Sequence, residues 1–283
     1  MQMKVYPFKI PKPVDEHLIV QIDKEPLFYN RLHQHEEIQI SYIINGTGKL
    51  LVGDSIHQFS IGDIYVIGSN LPHIFKSIPG ELNAHMVTIF FTENTFGVDF
   101  FKLPYFKDLQ SFFLNSNCGF KVLSGKKQTS DSILKLSSQD KLERFVTFLK
   151  LLALLSTVTI EPLSKFIYSK TLTSNEGERL QVIFDFVFKN FQKPIALKEI
   201  SKMAFMTPNA FCRFFKQRTN KTFFQFLIEL RVEHACQLLS SKKELNINLI
   251  SDLSGFNSIS NFNKKFKKIK GVTPTQYQQS IFI

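Results

Sequence analysis

The hydrophobic period of this chain changes near residue 97, and no single-layer architecture accommodates the change. Before it, apolar residues alternate with polar ones or run in short β-branched bursts between turn residues. IQISYII (38–44) stops at NGTG (45–48), and KLLVGDSIHQFS carries two short apolar runs around Gly53-Asp54. IGDIYVIG and AHMVTIFFT supply two more such runs. Short strands spaced by Gly, Asn and Asp predict a sandwich or barrel instead of a parallel sheet, with a hairpin at 53–54. After residue 97 apolar residues recur three and four apart, which is the helical period. A chain of 283 residues is comfortable as two domains. The expected fold class is therefore α+β in two domains, an N-terminal β-barrel with a helical extension and a C-terminal all-helical domain.

VDFFKLPYFKDLQSFFLN and SSQDKLERFVTFLKLLALLST make up the helical extension. In the second, Leu142, Phe145, Val146, Leu149, Leu152 and Leu155 form one face, while Phe148, Leu151 and Leu154 spill onto another. Two readings stay open: a helix buried on several sides, or one shared with a second subunit. The chain turns polar toward TLTSNEGE, so the expected division is 1–157, a linker at 158–175, and 176–283. The start MQMKVYPFKIPKP lacks the apolar region of a signal peptide, and FVTFLKLLALL is short of the ~20 residues that span a bilayer. Three widely spaced cysteines without a CxxC pair suit a reducing compartment. A cytoplasmic protein with no membrane association is expected.

Charge then separates the domains. Residues 176–283 hold seventeen Lys and Arg against eight Asp and Glu, so most of the formal +11 lies there. A basic excess confined to one helical segment points to nucleic acid. Two stretches of that segment repeat one pattern. In ALKEISKMAFMTPNAFCRFFKQRTN, Leu197, Ile200 and Ala204 face inward on a short helix, and Phe205-Met206 turns the chain. Thr207 caps a second helix before Pro208, a favoured first helical residue. Phe211, Phe214 and Phe215 then face in, leaving Asn209, Cys212, Arg213 and Lys216 outside. In NINLISDLSGFNSISNFNKKFKKIKG, Ile247, Ile250 and Leu253 face in, Gly255-Phe256 turns, and Asn257 or Ser258 caps. Phe262, Phe266 and Ile269 form the core, with Ile259, Ser260, Asn263 and Lys264 outside. A small or polar outer face at a helix start, flanked by cations, is what entry into a major groove requires. Double-stranded DNA is the expected partner. TFFQFLIELRVEHACQLLSS would join the two helix-turn-helix units and set their separation at about one turn of DNA, ~34 Å.

GFNSISNFNKKFKKIKGVTPTQYQ closely resembles the C-terminal signature of the AraC/XylS family of bacterial transcription regulators, through Gly255-Phe256, Phe262, Phe266-Lys267-Lys268, Gly271, Thr273-Pro274 and Tyr277. The first unit is similar through Phe211, Arg213, Phe215-Lys216 and Arg231. The resemblance implies base contacts at Asn209, Cys212 and Arg213, and at Ile259, Ser260 and Lys264. It also implies RNA polymerase as a partner, with activation the commoner mode. Phe205 and Asn220 stand where the family carries Gly, and Gln278 where it often carries Arg. A Phe at positive φ costs about 1 kcal/mol, so a different first turn is expected.

HQHEEIQISYIING and GDIYVIGSNLPH resemble the two motifs of the cupin barrel, the effector domain of many such regulators. The resemblance places His33, His35 and His73 at three metal positions and Gln39 at the usual Glu. His33 and His35 share a strand face, since side chains alternate. A neutral Gln39 weakens a divalent site, so no cofactor is expected. A divalent metal on the three histidines is the alternative. The expected function is a sequence-specific DNA-binding transcription regulator, a homodimer whose cupin domain senses a small-molecule effector around His33, His35, Gln39 and His73. The alternatives are a metal-dependent cupin enzyme fused to a DNA-binding domain, or a regulator whose cupin serves only as a dimerisation scaffold.

Overall fold

Alternation in the first part of the chain becomes nine strands in a computed structural model that describes Ile10 and residues 18–78, 83–168, 172–241 and 244–281. They are β1 (Ile19–Glu25), β2 (Ile38–Asn45), β3 (Gly48–Val52), β4 (Ser55–Phe59), β5 (Ile64–Ile67), β6 (His73–Ser77), β7 (Ala84–Phe91), β8 (Phe120–Val122) and β9 (Ile160–Pro162). All pair antiparallel, in two sheets ordered β1-β7-β2-β5-β8-β9 and β4-β3-β6. The expected hairpin is present: Val52 pairs with Ser55, and Gly53 takes φ +53°, which glycine adopts without steric cost.

Side chains from both sheets meet in one core, with Ile43, Tyr65 and Ile67 from the larger sheet against Leu50, Phe59 and Phe75 from the smaller. The other face of the larger sheet is covered as well. Ile38, Ile40, Val66 and Ile89 pack under α1 (Gln110–Ser116), α2 (Lys126–Leu136) and α3 (Lys141–Leu155). Burial on both faces explains why β5, Ile64–Ile67, is an unbroken apolar run. Asp140 starts α3 by accepting a hydrogen bond from Glu143 N at 3.0 Å.

The face of α3 differs from the sequence expectation. Phe148, Leu151, Leu152 and Leu155 are the buried residues, while Leu142 is 73% and Val146 42% exposed. The docked face combines Phe148 and Leu151 of the stripe that seemed to spill with Leu152 and Leu155 of the expected one. Both stripes are apolar, so period alone could not choose between them.

The expected linker at 158–175 is corrected too. Ile160–Pro162 forms β9 on β8, Leu163 N donates to Gly119 O, and the Leu163 side chain is buried. These backbone bonds hold the segment within the first unit; residues 169–171 lie outside the described residues. The chain divides into Met1–Gly177 and Glu178–Ile283. The second unit is helical, with α4 (Ser174–Asn190) entering it. α5 (Leu197–Met203), α6 (Pro208–Thr219), α7 (Phe223–Ser241), α8 (Ile247–Leu253), α9 (Ile259–Lys270) and α10 (Pro274–Ile281) follow.

Candidate functional site

The helix pairs α5–α6 and α8–α9 are built on the same backbone bonds. In the first turn Phe205 N donates to Lys202 O and Met206 N to Ser201 O. In the second, Gly255 N donates to Asp252 O and Phe256 N to Ser251 O. Both turns need a left-handed residue, supplied by Phe205 at φ +55° and Gly255 at φ +83°. The expectation of a different first turn is therefore wrong: Phe205 takes the strained conformation itself. Its side chain is 88% exposed, so burial does not offset that strain. Glycine is required at 255 for a second reason, because a Cβ there would stand 2.7 Å from Gln192 O.

The caps set a common register. Thr207 Oγ1 accepts from Ala210 N at 3.3 Å and Ser258 Oγ from Asn261 N at 3.4 Å, so Ser258 and not Asn257 is the second cap. Counting from each cap, Asn209 matches Ser260, Cys212 matches Asn263 and Arg213 matches Lys264; Lys216 matches Lys267, which the sequence reading had not assigned to the interface. Thr207, Asn209, Cys212, Arg213, Lys216, Ser258, Ile259, Ser260, Asn263 and Lys264 are all exposed, and Lys267 is as well. Phe211, Phe215, Phe262 and Phe266 are fully buried behind them. One inward assignment fails, because Leu253 is 39% exposed; Leu197, Phe214, Ile247 and Ile269 are half-buried, while Ser251, Ser254 and Phe256 fill the interior around α8.

Edge-to-face contacts of Phe223 with Phe211 and Phe215, at 5.5 and 5.6 Å between ring centres, hold α6 on α7. Arg231 of α7 donates to Phe191 O at 2.7 Å and Lys193 O at 2.9 Å. Burial lowers its pKa. It fastens the loop after α4 and is not part of the exposed reading face.

The histidines come together in the first unit. His33 and His73 exchange backbone hydrogen bonds as an antiparallel bridge (3.1 and 2.9 Å), and their rings lie 4.2 Å apart. His35 C=O accepts from Asn70 N at 2.7 Å, which ties the two motif loops together again. Gln39 follows on the same face of β2 and is 3% exposed. Each Nδ1 faces a carbonyl oxygen two residues away: Arg31 for His33 (2.7 Å), Glu37 for His35 (2.9 Å) and Leu71 for His73 (2.8 Å). A carbonyl only accepts, so each Nδ1 carries the ring proton. Burial opposes a second proton: it pushes His33 down to about 3, lowers His35, and lowers His73 well below the usual range. All three Nε2 atoms therefore present lone pairs.

Gln39 Oε1 lies 3.1 Å from His35 Nε2 and 3.0 Å from His73 Nε2, while its amide NH2 donates to Ser41 Oγ at 2.8 Å. As oriented, three acceptors face one another with no proton between them. A cation between them resolves this, as does a half-turn of the amide that aims its NH2 at both rings. The ligand atoms of His33, His35 and His73 all lie within 4.8 Å of one another. Nitrogens ~2.1 Å from a single ion would sit closer together than that maximum, so metal binding requires the widest pair to close. The donor set fits a divalent ion, with Gln39 adding a neutral oxygen. The Glu37 carboxylate stands behind the set, 3.7 Å from His35 Nδ1.

His33 and Gln39 also border a cavity of about 530 Å³ between the sheets. Its remaining walls come from β1 and the segment after it, which carry no motif, from Phe75 of β6, and from Ala84, Met86 and Phe90 of β7. The alternation of Gln21, Asp23 and Glu25 along IVQIDKE was the one available signal.

Comparison with known proteins agrees with this layout. A helix-turn-helix domain family matches residues 200–280 and a cupin domain family matches residues 24–90. The chain is 26% identical to the probable transcriptional regulator LumQ of Photobacterium leiognathi, covering 87% of this chain and 91% of that protein. It is 23% identical to the HTH-type transcriptional regulator YdeC of Bacillus subtilis, covering 89% and 87%. It is 24% identical to the HTH-type transcriptional activator RhaR of Mannheimia succiniciproducens, covering 87% and 86%.

Proposed function

We propose that the chain is a DNA-binding transcription regulator of the AraC/XylS type, with a cupin domain ahead of its helix-turn-helix units, supported by the two domain matches and the similarity to transcriptional regulators over most of the chain. From that premise we propose that it is a cytoplasmic, non-enzymatic homodimer that reads DNA with α6 and α9 and answers to a small molecule in the cupin domain. The observation that carries the DNA part is the shared register of the two helices, with matching exposed positions counted from matching caps. Arg213 and Lys264 reach bases, together with Asn209, Cys212 and Ser260. Thr207 and Ser258 fix helix ends, and Lys216 and Lys267 lie against phosphate.

Sensing requires a tie between the pocket and the chain that leads to α4. Leu172 N donates to Gln34 Oε1 at 3.2 Å, and Gln34 sits between His33 and His35. A ligand that prefers one arrangement of this loop shifts the population of the tether with it. Activation through RNA polymerase is the mode we favour, supported by the similarity to an activator.

His33, His35 and His73, with Gln39, would hold a divalent metal. Bound there, it would supply a Lewis acid and a fixed point for an effector oxygen or nitrogen. The converging Nε2 atoms are the observation that keeps a metal-bound reading in view.

The test is titration of the full chain against duplexes selected from random DNA, with and without added Zn²⁺, Mn²⁺, Ni²⁺ or Fe²⁺. Specific binding to one selected sequence is expected. Replacing His33 and His73 with Ala should leave binding by the unliganded protein in place while changing the response to metal or effector. Loss of specific binding in a normally melting variant would overturn the separation of sensor from reader.

A further inference from the structure

The cavity beside the histidines has a charge that decides what it can hold. Its volume of about 530 Å³ falls within the ~300–1,000 Å³ of small-molecule sites and far exceeds what one inorganic ion needs. Gln21, Asp23 and Glu25 line it because alternate residues of β1 share a face; Ile22 and Lys24 do not. Across the ladder, Met86 pairs with Asp23 and Ala84 with Glu25, and both also line the cavity. Phe28, Tyr29, Phe75 and Phe90 supply aromatic wall, and Leu27 stands half-exposed among the lining residues.

Among the described residues, no Lys or Arg lines this space, and neither Asp23 nor Glu25 meets a cation. Asp23 has one hydrogen-bond partner there, the Gln21 amide at 2.6 Å. The described lining thus sets two carboxylates, Asp23 and Glu25, in the cavity wall with no ammonium or guanidinium group to offset them.

We propose that this cavity binds a small organic cation with an apolar body, an amine or quaternary ammonium whose charged end lies against Asp23 and Glu25 and whose body packs among Phe28, Tyr29, Phe75 and Phe90. The proposal rests on the reading of the cupin domain as the sensor and names the chemistry of what it senses. Aromatic faces attract cations, and a carboxylate withdrawn from water gains most from a counter-charge. Burial, and then the charge of Glu25, raise the Asp23 pKa despite the Gln21 bond, and a bound cation relieves both effects. An anion meets two like charges here. A polyol would find acceptors but would set its hydroxyls against aromatic and aliphatic wall.

The experiment uses the full chain and three probes of one shape, 3-phenylpropylamine, 3-phenylpropanol and 3-phenylpropionate, with myo-inositol as a polyol. Binding is read by calorimetry and thermal shift, separately from DNA titration. The amine should bind at least about tenfold more tightly than the alcohol, and the carboxylate should not bind. Asp23→Asn with Glu25→Gln should abolish that preference, and Leu27→Arg, which adds a cation beside the cavity, should move it toward the carboxylate. Stronger binding of the carboxylate or inositol overturns the proposal. So does an amine preference that survives Asp23→Asn with Glu25→Gln, or no amine binding at millimolar concentration. Amine binding that leaves DNA affinity unchanged upholds the cavity assignment and removes the sensing role.

Discussion

Arg213 and Lys268 are both exposed cations on helices that follow a turn, yet their positions predict different failures. Arg213 sits in the second turn of α6 on the same face as Asn209. A bidentate contact from arginine to guanine discriminates by roughly 1–3 kcal/mol. Arg213→Ala should therefore weaken the selected site far more than scrambled DNA. Lys268 lies in the last turn of α9. Its loss should weaken both duplexes alike and lower the salt slope by roughly one unit. Titrations at several salt concentrations separate the two; equal losses on both duplexes for Arg213→Ala would show that it reads no base. Phe205 makes a second residue-scale case. Its φ of +55° is strained and its ring is 88% exposed, so Phe205→Gly removes strain and little packing. Thermal unfolding should show a gain of about 1 kcal/mol. Gly255→Ala should show the reverse, since its Cβ meets Gln192 backbone.

At the scale of elements, two predictions concern how helices attach to the β-domain and to each other. Asp63 joins β5 to β8 and α2 through Lys121 at 2.8 Å and Lys126 at 3.0 Å, and accepts from Tyr65 OH at 3.1 Å. Burial alone would raise its pKa, but the hydrogen bonds and charges of Lys121 and then Lys126 outweigh it and lower the pKa. A lowered carboxyl pKa contributes stability that is present above the unfolded value, 3.8, and is lost as pH falls through the folded value. The melting temperature of the native chain should therefore drop more steeply below that pH than that of Asp63→Asn, which should already be less stable at neutral pH. Parallel curves for the two proteins would remove Asp63 from the acid response. On α3, Leu142, Val146 and Ala153 are exposed at steps of four and seven residues, the spacing of a helix–helix seam, on the face turned from the sheet, while Leu149 between them packs partly on the core. If a second copy covers that seam, Leu142→Glu with Val146→Glu should give a monomer by sedimentation while the circular dichroism spectrum is retained. A dimer of unchanged affinity would place the subunit contact elsewhere.

For the whole molecule, the division at Gly177 and Glu178 puts the histidine cluster and its cavity in one unit and every residue proposed to read bases in the other. A fragment from Ser174 to Ile283 carries α4 to α10 with their cores and should fold alone and bind the selected duplex. Its affinity should be below that of the full chain, because two linked reading units gain effective concentration that a single one lacks. A folded fragment with no sequence preference would mean that the first unit contributes to base reading.

The change of hydrophobic period, the Thr207 cap and the aromatic cores behind α6 and α9 are local facts, settled within a few residues of each position. They were legible in the sequence because backbone geometry repeats every two or 3.6 residues. The same holds for His33, His35 and Gln39 on one face. Other features depend on partners far along the chain. His73 reaches His33 only because their backbones pair across the two motifs. Asp23 and Glu25 look like ordinary edge-strand acids until Phe28 and Phe75 close a cavity in front of them. The rotation of α3 was undecidable from two apolar stripes, and the sheet decided it by accepting Phe148 and Leu151. Likewise, a linker composition at 158–168 yields to β8, whose open edge still needs hydrogen bonds and takes them from β9.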